Sequence, residues 1–235
     1  MKHFLINSKG GVGKSYITKL HSLKAEKEKV ETYFLDCDNA SASSTKFFNG
    51  IKDKKSKYLK VGKFNLIGND KKIDRTKFDT FLSEIEKYEN LVVDFGASSS
   101  EQLLYYIMEE EHNDLVQIFK EMNIRLFVVF VGGGSAKECV EFFELLKKIP
   151  RIEEITHIIA NEFHGGIKGM SVKDYTQAKV QIGTLHEDSN SEAQKEWNQL
   201  MTDGIVYNDI LNISLIRRRR IVNYLDKIFN QLNTL

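Results

Sequence analysis

The sequence has few of the residues that staple or punctuate a chain. Its two cysteines, Cys37 and Cys139, are too few for a disulfide framework and have no metal-ligand spacing. The six histidines are scattered, none set beside a Cys or Glu at ligand distance, which argues against a zinc site. The single proline is Pro150, and with no Ser/Gly-rich stretch, repeat or low-complexity tract there is no sign of a linker. Residues 1–235 therefore read as one domain. No apolar run approaches the roughly 20 residues of a membrane span. The stretch Phe4-Leu5-Ile6 is too short for a secretory signal. Charge of one sign is also missing. With 34 Lys and Arg against 33 Asp and Glu, the net +1 excludes a globally basic polymer binder and an acidic disordered tail. The chain reads as cytoplasmic and reduced.

Alternation is what the sequence does show. Short runs rich in β-branched and aromatic residues at His3–Ile6, Thr32–Leu35, Leu91–Asp94, Leu126–Val131 and Ile155–Ala160 have the length of buried strands. Helical stripes lie between them: Ile17, Leu20 and Leu23; Phe78, Phe81, Leu82, Ile85 and Tyr88 behind Asp74 as N-cap; Cys139, Phe142, Phe143, Leu146 and Ile149 ahead of Pro150. A last amphipathic stripe, over about 216–235, holds Ile221, Leu225, Ile228, Leu232 and Leu235. Strands apolar throughout, alternating with helices, predict an α/β fold with a mostly parallel sheet covered on both faces.

Between the first strand and the first helix stands Ser8-Lys9-Gly10-Gly11-Val12-Gly13-Lys14-Ser15-Tyr16. Glycines let backbone N–H groups approach a phosphate chain, and the helix N-terminus that follows adds orphan donors and positive dipole. The pattern predicts a nucleotide site at Gly10, Gly11, Val12, Gly13, Lys14, Ser15 and Tyr16. Lys14 would reach the β- and γ-phosphates and the Ser15 hydroxyl would ligate Mg²⁺. Carboxylates for the metal belong at the carboxyl ends of strands, where Asp36 and Asp94 fall. The alternative for the Asp36-Cys37-Asp38 pair is a cap on the turn after the strand.

The Lys-Gly-Gly-x-Gly-Lys-Ser order, with Ser8 where the usual spacing has glycine, resembles the deviant Walker A loop of the ParA/MinD family of P-loop ATPases. The resemblance implies ATP and Mg²⁺ as cofactors and a homodimer in the ATP state. It makes Lys9 a catalytic lysine that contacts the phosphates held by the partner copy, comparable in role to an arginine finger. Asp36-Cys37-Asp38 looks like the family's Asp-x-Asp switch, with Asp38 positioning the attacking water and Asp36 on the metal side. Asp94 looks like Walker B. Most relatives have proline after that aspartate, whereas this chain runs Asp94-Phe95-Gly96-Ala97-Ser98-Ser99-Ser100.

That run, followed by Leu104 and Tyr106, Val131-Gly132-Gly133 and Asn161-Glu162-Phe163-x-Gly165, is similar in order and spacing to the TraL-type nucleotide-binding proteins of bacterial conjugal transfer. Ile73-Asp74-Arg75-x-Lys77-Phe78 and Arg218-x-Arg220 fit the same series. This resemblance implies service in conjugal transfer or plasmid maintenance, with conjugation or partition proteins as partners. Asn161 stands where this group places a base-contacting asparagine, and without Asn-Lys-x-Asp after it ATP is expected rather than GTP. Its alternative is to satisfy turn backbone near Gly165-Gly166. Gly132-Gly133-Gly134 reads first as a strand-to-helix turn, or else as an anion nest.

Two basic patches offer partner surfaces. The Lys52–Lys63 segment is expected to be a loop, and Arg217, Arg218, Arg219 and Arg220 open the terminal helix. Either suits nonspecific contact with DNA phosphates, the arginines suit an anionic membrane less well, and a solvated helix face stays open. Ser98-Ser99-Ser100 lacks the Gly-x-Ser-x-Gly frame of a serine hydrolase. Cys139 reads as core, and Trp197 as either core or partner surface. The expected function is an ATP-driven dimerising switch. A nucleotide-binding scaffold with little hydrolysis and a small-molecule P-loop kinase are the alternatives.

Overall fold

The computed structural model describes residues 1–37, 47–51, 56–70, 72–109, 115–162, 175–180, 182 and 191–235. Seven strands form one sheet: β1 (Lys2–Ile6), β2 (Thr32–Cys37), β3 (Leu59–Lys63), β4 (Leu91–Phe95), β5 (Ile124–Val131), β6 (Thr156–Asn161) and β7 (Thr176–Val180). Their order is β3-β2-β4-β1-β5-β6-β7 and every neighbouring pair is parallel. The central strands are buried on both faces, as in Phe4, Leu5, Ile6 of β1 and the run from Leu126 to Val131 of β5, which accounts for their apolar composition.

The helices are α1 (Lys14–Glu28), α2 (Arg75–Glu86), α3 (Ala97–Glu109), α4 (Leu115–Glu121), α5 (Ala136–Leu146), α6 (Glu192–Asp203), α7 (Tyr207–Leu211) and α8 (Leu215–Leu232). Right-handed crossovers put α1 on one face, because β1 to β2 runs leftward through the sheet, and α2 to α5 on the other. Rings show the division. Phe4 meets Phe81 of α2 and Phe119 of α4, while His3, one residue away on β1, meets His21 of α1. The three C-terminal helices join α1: Trp197 of α6 donates to the Tyr16 hydroxyl at 2.6 Å and packs edge-on against Tyr224 of α8.

Asp74 caps α2 as expected, accepting from Lys77 N–H at 3.1 Å. Cys139 and Trp197 are fully buried, so both are core. Three expectations on extent need correction. The stripe before Pro150 leaves the helix at Leu146, since Lys147 caps α5 and Ile149 is buried from the turn beyond. The terminal helix spans Leu215–Leu232 rather than 216–235. The second half of the Lys52–Lys63 segment is the edge strand β3, where Lys60 pairs with Glu31 at 2.6 Å, rather than a loop. Lys52, Lys54 and Lys55 lie outside the described residues. Gly132-Gly133-Gly134 enters a short 3₁₀ turn at Gly133–Ser135, in keeping with a strand-to-helix connection.

One backbone crossing fixes the end of α6. Gly204, at φ +80°, lies against the helical turn 47–51, and a Cβ there would run into the Phe47 carbonyl. A Cβ on Gly50 would run into the Asp203 carbonyl. Both obstacles are backbone and cannot rotate away. Gly204→Ala is expected to lower stability by about 3 kcal/mol through strain and collision together. A urea melt read by circular dichroism checks this; an unchanged midpoint would show that the crossing is soft.

Candidate functional site: the loop between β1 and α1

The glycine loop leaves the centre of the sheet at the carboxyl end of β1. Gly13 caps α1 at φ +109°, ψ +10°, and its carbonyl accepts from Ile17 N–H at 2.9 Å. Gly11 is also left-handed, at φ +78°. At Gly10 and Gly11 an added Cβ would meet nothing within 4 Å, so the loop's outer side is open to a ligand. Gly13 is different. Its Cβ would come within 2.5 Å of Ile182 Cδ1, so glycine there also lets the chain after β7 close on the loop.

Lys14 is 7% exposed and curls over the loop, donating to the carbonyls of Asn7 at 2.9 Å and Lys9 at 3.1 Å. Its ammonium thus sits inside the cradle. Lys9 behaves otherwise. Its Nζ reaches away to Glu138 Oε1 in the first turn of α5, at 2.8 Å, with a third of the lysine side chain exposed. The hydrogen bond and charge of Glu138 raise the Lys9 pKa, and Lys9 lowers that of Glu138. Both groups stay charged near neutrality.

The two aspartates expected at strand ends are each the last residue but one of a strand. Asp36 belongs to β2 and Asp94 to β4, each 1% exposed, and the register pairs them directly. Parallel partners project to one face, so two carboxylates stand side by side near α1. Lys19 of α1 feels the Asp94 charge, which raises its pKa against the larger lowering by burial. Cys37, the next residue on β2, is held as a neutral thiol, its pKa raised by burial and by both aspartates. Asp38 lies outside the described residues.

No group of three or more His, Cys, Asp or Glu able to hold a metal occurs among the described residues. Magnesium does not require one, since it is commonly held by one or two carboxylates, a hydroxyl, water and phosphate oxygens. Ser15, Asp36 and Asp94 are the right hard-oxygen donors, and the open side of Gly10 and Gly11 leaves room for the phosphates that would complete the shell.

Two residues expected at the ligand also make side-chain contacts within the fold. The Asn161 amide donates to the Val12 carbonyl at 3.3 Å, and its oxygen accepts from Ile182 N–H at 3.4 Å. It braces the loop against the chain just beyond β7. The Tyr16 side chain turns to Trp197, leaving its backbone as the part at the loop. The arginine run divides as well. Arg217 pairs with Glu196 at 3.2 Å, Arg218 donates to the Leu211 carbonyl, and Arg219 and Arg220 are exposed.

Sequence reasoning missed Asn7 and Glu138. Asn7 is fully buried. Its side chain donates to the Val129 carbonyl of β5 at 2.8 Å and accepts from Lys9 N–H at 2.7 Å, fixing where the loop begins. A buried polar residue at a strand end just before a glycine loop was the signal available for Asn7; Glu138 gave none.

No protein-family model matches the chain, and no curated protein matches it. Solved structures do. MinD, a cell division protein of Aquifex aeolicus, aligns over 98% of this chain and 98% of its own, at 14% identity and a TM-score of 0.52. A plasmid partition protein from Borrelia burgdorferi B31, bound to AMPPNP, aligns over 99% of this chain and 96% of its own, at 13% identity and 0.53. The MinC:MinD complex of Aquifex aeolicus aligns over 98% and 96%, at 13% identity and 0.50. The seven-stranded parallel sheet with helices on both faces is the P-loop fold of MinD and the plasmid partition proteins.

Proposed function

We propose that the protein is an ATP-dependent molecular switch that hydrolyses ATP slowly and pairs with a second copy while the triphosphate is bound. The observation that carries this reading is the contrast between the two loop lysines. Lys14 is folded into its own cradle, and Lys9 is directed out of it, held at the surface by Glu138. A lysine that serves a neighbouring copy must be outside its own site. The similar fold bound to AMPPNP supports a nucleoside triphosphate in the cradle, and Ser15, Asp36 and Asp94 would hold Mg²⁺.

Catalysis in such a site is positional and electrostatic. The loop N–H groups and Lys14 orient the phosphates, and Asp38 orients water; Mg²⁺ held by Ser15, Asp36 and Asp94 would supply charge neutralisation on the phosphate oxygens. Lys9 of a second copy meets the charge that develops on the transferred group. Contact with DNA phosphates through the exposed Arg219 and Arg220, and service in plasmid or conjugal transfer, complete the reading; the latter rests on the TraL-like series. No helix among the described residues is long and apolar enough to cross a membrane.

The test is mass by light scattering with ADP, ATP and AMPPNP, alongside phosphate release. The expected result is a dimer with ATP and AMPPNP, a monomer with ADP, and an Asp38→Ala variant that dimerises without turnover. Equal phosphate release by wild type and Asp38→Ala would instead favour the nucleotide-binding scaffold.

A further inference from the structure

Two adjacent hydroxyls on the first turn of α3 join three loops that the sheet brings side by side. Ser100 is fully buried. Its Oγ accepts from Asn7 N–H at 3.1 Å, where β1 becomes the glycine loop, and donates to the Gly96 carbonyl at 2.7 Å, just past Asp94. Ser99 is 3% exposed, and its Oγ lies 3.2 Å from the Gly96 carbonyl and 3.2 Å from the Cys37 carbonyl at the end of β2. A serine bonding a carbonyl three or four residues back in its own helix is ordinary. The contacts to Asn7 and Cys37 are not local, spanning 93 and 62 residues.

The chemistry of Ser99 makes it a two-position element. A hydroxyl has one proton to donate, and here two carbonyls stand at the same distance from it. Donated to Gly96, the proton serves only the helix turn; donated to Cys37, it ties β4 to the segment that leads to Asp38. Ser100 has no such choice, since its one proton goes to Gly96 and its lone pair to the Asn7 N–H. A displacement of the loop base at Asn7 therefore pulls on the Gly96 carbonyl, and the adjacent Ser99 can pass it to the end of β2. The three places joined are those that carry the glycine loop, Asp94 and Asp38.

We propose that Ser99 and Ser100 are positioning residues that make the end of β2 and the Asp94–Gly96 segment respond to what occupies the glycine loop, so that the site tells a triphosphate from a diphosphate. This deepens the switch reading and rests on it. Neither serine is assigned contact with nucleotide. The hydroxyls act through backbone carbonyls, and the expected effect falls on discrimination rather than on holding the phosphates.

Calorimetric titration with Mg·ADP and Mg·AMPPNP tests this without requiring turnover. Wild type is expected to bind AMPPNP more tightly than ADP. In Ser99→Ala and Ser100→Ala the ratio of the two dissociation constants should move at least fivefold toward one, with ADP affinity changed less than twofold. Ser99→Thr keeps a hydroxyl that can be offered to either the Gly96 or the Cys37 carbonyl and should restore the ratio. Loss of thermal stability with an unchanged ratio would make the serines merely structural and overturn the proposal, as would equal affinities in wild type. Wild type that binds neither nucleotide would overturn the reading of the site itself. If Ser100→Ala does not fold, Ser99→Ala decides alone, because removing its hydroxyl strips no donor of its acceptor.

Discussion

Alanine at Lys14 is expected to remove nucleotide binding, and alanine at Lys9 to leave binding in place while removing turnover. The two lysines lie five residues apart in one loop, so composition cannot separate them; geometry does. Lys14 is buried with its ammonium bonded to two loop carbonyls. Its replacement takes away a charge-assisted donor to phosphate and also loosens the loop. About two orders of magnitude in AMPPNP affinity should be lost, as for one or two hydrogen bonds to a charged group. Lys9 makes no contact with its own cradle through its amine, which is on Glu138. Its truncation should leave AMPPNP affinity nearly unchanged and cut phosphate release at saturating ATP by about 1,000-fold, the scale of an arginine finger supplied in trans. Release within tenfold of wild type would remove Lys9 from the catalytic groups.

Glu138 supplies the control. For Lys9 to reach another copy its ion pair must break, and that pair is substantially exposed on both sides. Exposed pairs hold weakly against water. Glu138→Gln should therefore shift the ATP-dependent dimer by only a few-fold, in the direction of tighter association. The Lys9 and Glu138 effects differ in size because one removes a group from the reaction and the other removes a modest hold on it.

Most of the sheet and the core of the site were legible because short-range chemistry dictates them. The five inner strands are mostly apolar, and Asp74 caps a helix by accepting from the N–H of Lys77, only three residues on. The glycine loop needs left-handed φ at two positions and has glycine there. The edge strands were not legible. Only Leu59 of β3 and Ala178 and Val180 of β7 are buried, since an edge strand keeps polar residues outward. The Lys-rich composition of β3 is that of an edge, although it reads as a loop. Asp36 reads as lying just past its strand because charge usually marks an end, yet β2 runs through it to Cys37, and its register beside Asp94 sets two like charges together, a repulsion that a bound cation would relieve. Ala97-Ser98-Ser99-Ser100 has the composition of a turn and is instead the start of α3, where two serines find acceptors and a donor supplied by other strands. Asn7, Ser99, Ser100 and Glu138 owe their roles to partners far along the chain, and no local pattern reports that.

Acid is expected to unfold the protein well before its carboxylates are all protonated, because three imidazoles are packed where a proton is unwelcome. His3 of β1 lies 4.3 Å from the Phe127 ring and 5.1 Å from His21 of α1, and His157 of β6 stacks on Phe127 at 5.2 Å. Both nitrogens of His3, Nε2 of His21 and Nδ1 of His157 are buried without a hydrogen-bond partner. Burial is the main cause of their lowered pKa values. It pushes His21 down to about 4 and His3 well below the usual range, with Lys24 and the neighbouring imidazoles adding repulsion. His157 is lowered by burial and by Arg125. The terminal amine of Met1, Lys24 and Glu28 line the cavity of about 210 Å³ beside His3 and His21, so positive charge outweighs negative there and adds to the effect of burial. The unfolded chain takes up protons near pH 6.5 and the folded chain does not. Stability is therefore complete above that pH and declines as pH falls toward 4, where His21 titrates in the native state and its contribution levels off. At most His21 accounts for about 3 kcal/mol over the whole window and about 2 kcal/mol between pH 7 and 5, upper figures because part of its ring edge is open to the cavity. Urea midpoints at pH 7.5, 6 and 5 measure the decline, and His21→Leu, which keeps an apolar group of similar size, should flatten it. A midpoint constant across that range in wild type, or an equal decline in the variant, would mean that these imidazoles accept protons in place.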